Sequence, residues 1–190
     1  MPATFYFDLG SPYSYLAAER INSLFDEPPE WQPILLGALF KTHDCDSWSN
    51  GPGRDEGIRE VERRAAEYGL PGIRWPDPWP GNTLMAMRAA TFAKQIGKVV
   101  SFSLAGFRQA FAGGRDLSDP DNVMLAAAAC ELHPKALTQA VQSQGVKDAL
   151  RAATEAAAAR NVIGVPTVVV GDAVYWGDDK LADAAVAARR

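Results

Sequence analysis

Apolar residues along this chain keep two rhythms: short crowded runs near each end, and recurrence every three to four positions between them. The first run, Thr4-Phe5-Tyr6-Phe7-Asp8-Leu9, predicts a strand. Pro12 then sets a first helical turn, and Tyr15, Leu16, Ile21, Leu24 and Phe25 fall on one helical face. Glu27-Pro28-Pro29 stops that helix. Trp31-Gln32-Pro33-Ile34-Leu35-Leu36 predicts a second strand, which Pro33 marks as an edge or a bulge.

Residues 38–144 carry only the helical rhythm. Ile58, Val61, Ala65 and Tyr68 precede a stop at Gly69-Leu70-Pro71-Gly72, and Asn82 reads as the N-cap of a helix through Met85, Ala89 and Phe92 to Gly97. Val100, Leu104, Phe107 and Phe111 repeat on one face, closed by Gly113-Gly114. Ser118-Asp119-Pro120 opens a helix through Val123, Met124 and Ala127, and Pro134 opens another with Leu137 and Val141.

After Gly145 an Ala-rich helix (Val146, Ala149, Leu150, Ala153, Ala157) leads to Gly164-Val165-Pro166-Thr167. Val168-Val169-Val170 and Ala173-Val174-Tyr175-Trp176 then read as a hairpin about the two-residue turn Gly171-Asp172. Asp178 and Asp179 start a terminal helix whose last turn holds Arg189 and Arg190, well placed on the dipole. The order β-α-β, helical block, α-β-β-α predicts an α/β fold. Its mixed sheet has helices on both faces, with the helical block inserted.

Composition narrows the class. The 190 residues are 47% hydrophobic and 22% charged, enough for a buried core in one domain or in a domain with a large insertion. A net charge of −4 gives no basic surface for nucleic acid or anionic lipid, and no apolar run reaches a membrane-spanning length. The chain enters a strand at once, without a signal-type leader, and its two cysteines, Cys45 and Cys130, form no spaced pair. These features read as a reduced cytoplasmic protein.

Ser11-Pro12-Tyr13-Ser14 stands at the strand-to-helix junction where a thioredoxin-like protein carries its Cys-x-x-Cys redox pair. Without sulfur there, dithiol–disulfide exchange at this place is excluded. Ser11 has two readings: a plain N-cap ahead of Pro12, or a hydroxyl that helps a helix N-terminus hold an anion. Val165-Pro166 is either an ordinary trans turn or a cis bond that turns the Val165 main chain outward as a binding edge. Trp176-Gly177-Asp178-Asp179 is either a strand end with an acidic helix cap or a grip on a charged ligand. His43-Asp44-Cys45-Asp46 places four ligand-type residues in a row, which cannot all converge on one ion, so no metal site is expected.

Phe5-Tyr6-Phe7-Asp8, Ser11 to Ala17, Leu36-Gly37-Ala38-Leu39-Phe40-Lys41, Gly164-Val165-Pro166-Thr167 and Trp176 to Leu181 together resemble the 2-hydroxychromene-2-carboxylate isomerase family. That family is related to kappa-class glutathione transferases and to the DsbA-like branch of the thioredoxin superfamily. The resemblance implies a thioredoxin-like domain over 1–37 and 145–190, an inserted helical domain over 38–144, glutathione as cofactor, and a homodimer. It also implies that Ser11 holds the glutathione sulfur, that Val165 clamps glutathione beside a cis Pro166, and that Trp176, Gly177, Asp178 and Asp179 form the glutathione-binding turn. Lys41 matches a substrate-side lysine, and Asn82 lies where the inserted domain reaches the cleft. Between Thr42 and Ile58 this chain is shorter than the family pattern, and Asn50 and Arg54 are the nearest counterparts of an Asn-Arg substrate contact.

A free thiol is only a few per cent thiolate at neutral pH, and a helix N-terminus with a hydroxyl donor favours the charged form. The function so implied is a glutathione-dependent cis-trans isomerase acting on small aromatic or conjugated molecules like 2-hydroxychromene-2-carboxylate. Two others stand beside it: a kappa-like glutathione transferase or peroxidase, and a non-catalytic thioredoxin-fold module that grips peptides at Val165.

Overall fold

Side-chain alternation along strand β1 (Ala3–Phe7) sends Phe5 and Phe7 to one face of the sheet and Tyr6 to the other. The computed structural model describes residues 1–189. Among them β1, β2 (Glu30–Pro33), β3 (Thr167–Val170) and β4 (Ala173–Trp176) form one sheet in the order β2-β1-β3-β4. Strand β1 runs parallel to β2, with Phe5 beside Trp31, and antiparallel to β3, with Phe5 beside Val168. The β3–β4 hairpin turns at Gly171, whose φ of 57° suits glycine.

The crossover from β1 to β2 is α1 (Pro12–Leu24). The remaining helices are α2 (Leu36–Thr42), α3 (Arg54–Glu67), α4 (Leu84–Gln95), α5 (Val99–Phe107), α6 (Pro120–Ala129), α7 (Pro134–Gln142), α8 (Gln144–Ala159) and α9 (Leu181–Ala188). None is long and apolar enough to cross a membrane. The fold is thus the expected α/β fold with a mixed sheet and a helical block inserted between β2 and α8.

Phe5 and Phe7 meet Trp31 edge-on at 4.9 and 5.5 Å, and Phe7 meets Phe107 of α5 at 5.9 Å. Burying each such ring stabilises the fold by about 1.5–3 kcal/mol, and each edge contact adds about 0.5–1.5. Because Phe107 of the helical block belongs to the same buried cluster as Phe5, the block and the sheet share one core. The opposite face buries Tyr6, Ile34, Leu39, Ala157 and Val169 under α2 and α8.

Several local expectations change. The second strand ends at Pro33, not Leu36: Ile34 N–H still donates to Phe7 O of β1 (3.1 Å), but beyond it Leu35 N–H goes to Thr154 Oγ1 (3.1 Å) and Leu36 N–H to Asp8 Oδ2 (2.9 Å). Leu36 therefore opens α2. Gly145 lies inside α8, whose cap is Ser143. Thr83 takes the cap position of α4, while Asn82 Oδ1 accepts from Leu84 N–H at 3.0 Å. Phe107 and Phe111 share a face through a π-helical turn at Arg108–Ala112 that continues α5. Near the C-terminus, Asp178–Lys180 forms a single 3-10 turn before α9, and Arg189 pairs with Asp26. Arg190 lies outside the described residues.

Candidate active site

The end of β1, the start of α1 and the Val165–Pro166 corner face one cavity of about 810 Å³. Ser11 caps α1 in extended conformation. Its Oγ accepts the Ser14 N–H at 3.1 Å, and its own N–H donates to Asp8 O at 3.0 Å. The acceptor side of the hydroxyl is thereby used inside the helix turn. Its proton has no acceptor among the described residues and is available to an anion seated at the helix N-terminus. The cap reading of Ser11 is met, and a cap oxygen still carries a hydrogen to give.

Asp8 lies beneath this turn, 4% exposed. Its Oδ1 accepts from Gly10 N–H (2.8 Å) and the Thr83 hydroxyl (3.1 Å), and its Oδ2 from Leu36 N–H. Burial pushes the carboxyl above its ordinary range, and these three hydrogen bonds pull back against it. One side chain thus ties together the Ser11 turn, the start of α2 and the start of α4.

Across the cavity the Val165–Pro166 bond is cis. Pro166 C=O accepts from Gly177 N–H at 2.9 Å, while the Val165 N–H and C=O make no hydrogen bond among the described residues. Trp176 is 55% exposed and packs on Gly164, where a Cβ would stand 2.8 Å from its Nε1. Gly177 follows with φ 115°, a left-handed conformation that admits glycine. Asp178 is buried. It accepts from Arg64 Nη1 at 2.6 Å and from the Tyr68 hydroxyl at 2.8 Å, and its C=O accepts from Arg20. Burial draws the Arg64 guanidinium downward, but its bonds to Glu60 and Asp178 more than offset this and hold it above its ordinary range. Asp179 is half exposed, 4.0 Å from Arg64.

Ser11, Val165, Pro166, Trp176, Gly177, Asp178, Asp179 and Asn50 therefore line one cavity, although they come from opposite ends of the chain. Lys41, Arg54 and Asn82 do not line it. Because α2 starts at Leu36, its cleft-facing stripe is Leu36, Gly37 and Phe40, and Lys41 falls one step round the helix into solvent. Arg54 is engaged on Ser49 and Trp79 carbonyls, and Asn82 Oδ1 is engaged by Leu84.

Asp8, Tyr13, Phe40, Trp48, Arg64 and Trp79 also line the cavity, and none of them was expected to act there. Asp8 carried one signal, an acidic residue ending an otherwise apolar strand just before a helix cap. Arg64 and Trp48 carried none.

The DSBA-like thioredoxin domain model matches residues 3–187. The chain belongs to that family. A 2-hydroxychromene-2-carboxylate isomerase of Sphingobium xenophagum is 27% identical over 187 residues, 93% of this chain and 92% of that protein. The protein of the same name from Pseudomonas putida is 27% identical over 192 residues, 95% and 91%. A solved 2-hydroxychromene-2-carboxylate isomerase superposes with a TM-score of 0.85 at 22% identity, covering 95% of this chain and 91% of that one. A Streptomyces coelicolor protein described as a probable DsbA oxidoreductase superposes at 0.75 and 19% identity, covering 100% and 90%. In this DSBA-like domain Ser11 and Ser14 rule out a dithiol at the head of α1.

Proposed function

We propose that this protein is a glutathione-dependent cis-trans isomerase acting on 2-hydroxychromene-2-carboxylate or a similar small conjugated aromatic acid. Isomerase activity is supported by the two relatives of that name, each matched over more than nine-tenths of its length. Glutathione dependence rests on one observation: the unshared proton of Ser11, at the N-terminus of α1, faces the same cavity as the free main chain of Val165.

That cavity fits the tripeptide. Ser11 would hold the sulfur, Val165 would pair with the peptide main chain beside Pro166, and Trp176, Gly177 and Asp179 would receive the polar end. When bound, glutathione supplies a thiolate that adds reversibly to a conjugated carbon and so permits rotation about what was a double bond. The chain's part is electrostatic. The helix N-terminus and the Ser11 hydroxyl favour a negative sulfur, and one pKa unit so gained amounts to about 1.4 kcal/mol. Asp178, already bound to Arg64 and Tyr68, holds the turn rather than the ligand. The aromatic side of the cavity, Tyr13, Phe40, Trp48 and Trp79, takes the acceptor.

The test is thermal shift at millimolar glutathione together with isomerisation of 2-hydroxychromene-2-carboxylate with and without the thiol. A clear shift and strict thiol dependence are expected. Turnover without thiol removes the glutathione reading. A shift without isomerisation, with conjugation of other electrophiles, favours the kappa-like transferase, and no shift favours the peptide-binding module. The homodimer implied by the resemblance is checked by light scattering.

A further inference from the structure

The half-buried Arg54 guanidinium is committed to main-chain partners. Its Nη1 donates to the Ser49 carbonyl at 3.1 Å and its Nη2 to the Trp79 carbonyl at 2.7 Å, and its central carbon lies 5.0 Å from the Trp79 ring centroid. One side chain thereby joins the Trp48–Asn50 turn to the Pro-rich segment around Trp79. The Trp48 and Trp79 rings stand 5.4 Å apart at 47°, and the Tyr13 ring meets Trp48 edge-on at 5.9 Å. Trp48 packs against α3 at Gly57, where a Cβ would stand 2.3 Å from the indole carbons. Trp79 Nε1 donates to the Gly10 carbonyl at 3.3 Å, one residue before Ser11.

We propose that Arg54 is a positioning residue for acceptor selection. It pins the Trp48 and Trp79 segments into one aromatic wall beside Ser11, and that wall takes the flat face of an aromatic ring conjugated to an unsaturated acid. Gly57 sets how far back Trp48 lies. The inference deepens the isomerase reading and rests on it for the site's catalytic role, but seating of a flat ring needs no glutathione. The fork geometry is required. Two carbonyls in different segments are bridged by one planar guanidinium, which a lysine ammonium cannot reproduce. Offset stacking on indole rings rewards planarity, so a saturated ring of similar size loses that contact.

The test titrates the full chain with cinnamate, planar and conjugated, and with 3-cyclohexylpropionate, saturated, by tryptophan emission. Three of the five tryptophans, Trp48, Trp75 and Trp79, stand in this cluster, so emission reports on it. Cinnamate is expected to bind about tenfold more tightly than the saturated acid, the discrimination of a stacking contact or two. Arg54→Lys and Arg54→Met each weaken cinnamate about tenfold and raise KM for the aromatic acceptor, while KM and thermal shift for glutathione hold. Gly57→Ala weakens cinnamate from the other side with unchanged circular dichroism, and carries the test with Arg54→Lys if Arg54→Met does not fold. Equal binding of the two acids, wild-type cinnamate affinity in Arg54→Lys, or glutathione affinity falling in step with cinnamate overturns the proposal. A wild-type protein that takes cinnamate but ignores glutathione sinks the glutathione reading and leaves the wall standing; the reverse result sinks the wall alone.

Discussion

Arg64 reaches from α3 to Asp178, 114 positions later in the chain, and closes a 2.6 Å ion pair beneath the Gly177 turn. Asp178 is 1% exposed, and its carboxyl oxygens are taken up by that partner and by Tyr68. Removing one member of such a pair strands the other in low dielectric, which costs more than the pair itself contributes.

Arg64→Met should therefore lower unfolding free energy by about 3–5 kcal/mol. Asp178→Asn, which still receives a hydrogen bond, should cost less. Urea denaturation of both variants checks the order. Equal stability of Arg64→Met and wild type would show that the turn does not need its anchor.

Asp179 offers the contrast. Its carboxylate is half exposed and its pairing with Arg64 is long, so Asp179→Asn should change stability by no more than about 0.5 kcal/mol. Under the proposed function it should weaken glutathione severalfold. A titration that finds glutathione unaffected by Asp179→Asn but abolished by loss of Trp176 would move the polar grip off this acid.

Ser11→Ala removes both a cap acceptor and an anion donor. Loss of the cap should cost about 1 kcal/mol of stability. Loss of the donor should raise the pKa of bound thiol, shifting the alkaline-rising limb of kcat/KM to higher pH by about one unit. Ser11→Thr keeps the hydroxyl and should keep both. The two effects separate by comparing denaturation midpoints with pH–rate profiles. An unmoved profile in Ser11→Ala would leave Ser11 as a cap and nothing more.

Where a signal is local, the sequence carried it. The Ser11-Pro12 helix start and the Gly171-Asp172 hairpin are each decided within a few residues, by φ restriction, hydrogen-bond geometry and apolar period. The seven positions that the family resemblance implies for glutathione are gathered by the fold round one cavity, although Asp178 there holds the turn. What escaped was decided at a distance. A carboxylate 28 residues earlier takes the Leu36 N–H where α2 begins, and from that start Lys41 falls off the cleft-facing stripe. Trp48 and Trp79 meet where a guanidinium bridges their two segments, and no periodicity in either segment announces the other.

Gly164→Ala tests the Trp176 seat. The added Cβ would stand 2.8 Å from the indole nitrogen, so the ring must move. Trp176 is solvent-facing enough to swing away, and the stability cost should stay at about 1 kcal/mol. Glutathione affinity should fall severalfold, because the displaced ring borders the place proposed for its polar end. A red-shifted tryptophan emission with undiminished glutathione binding would remove Trp176 from that site.

Asp8 yields a prediction in pH. Burial raises its carboxyl above the ordinary value near 3.8, so the folded state binds its proton more tightly than the unfolded state does. Stability from this group is full below pH 3.8 and declines as pH rises through the higher folded value. An asparagine amide at this position has no such proton. In Asp8→Asn the unfolding free energy should therefore be flatter with pH than in wild type, and the difference, wild type minus variant, should shrink as pH rises from about 4. The variant also turns an amide donor toward the N–H of Gly10 or of Leu36, neither of which can accept, and this costs about 1–3 kcal/mol at every pH. Guanidinium denaturation of both proteins between about pH 4 and 7 measures each part. A difference that grows with pH would mean that the three hydrogen bonds outweigh burial and that the carboxyl is held below its ordinary value.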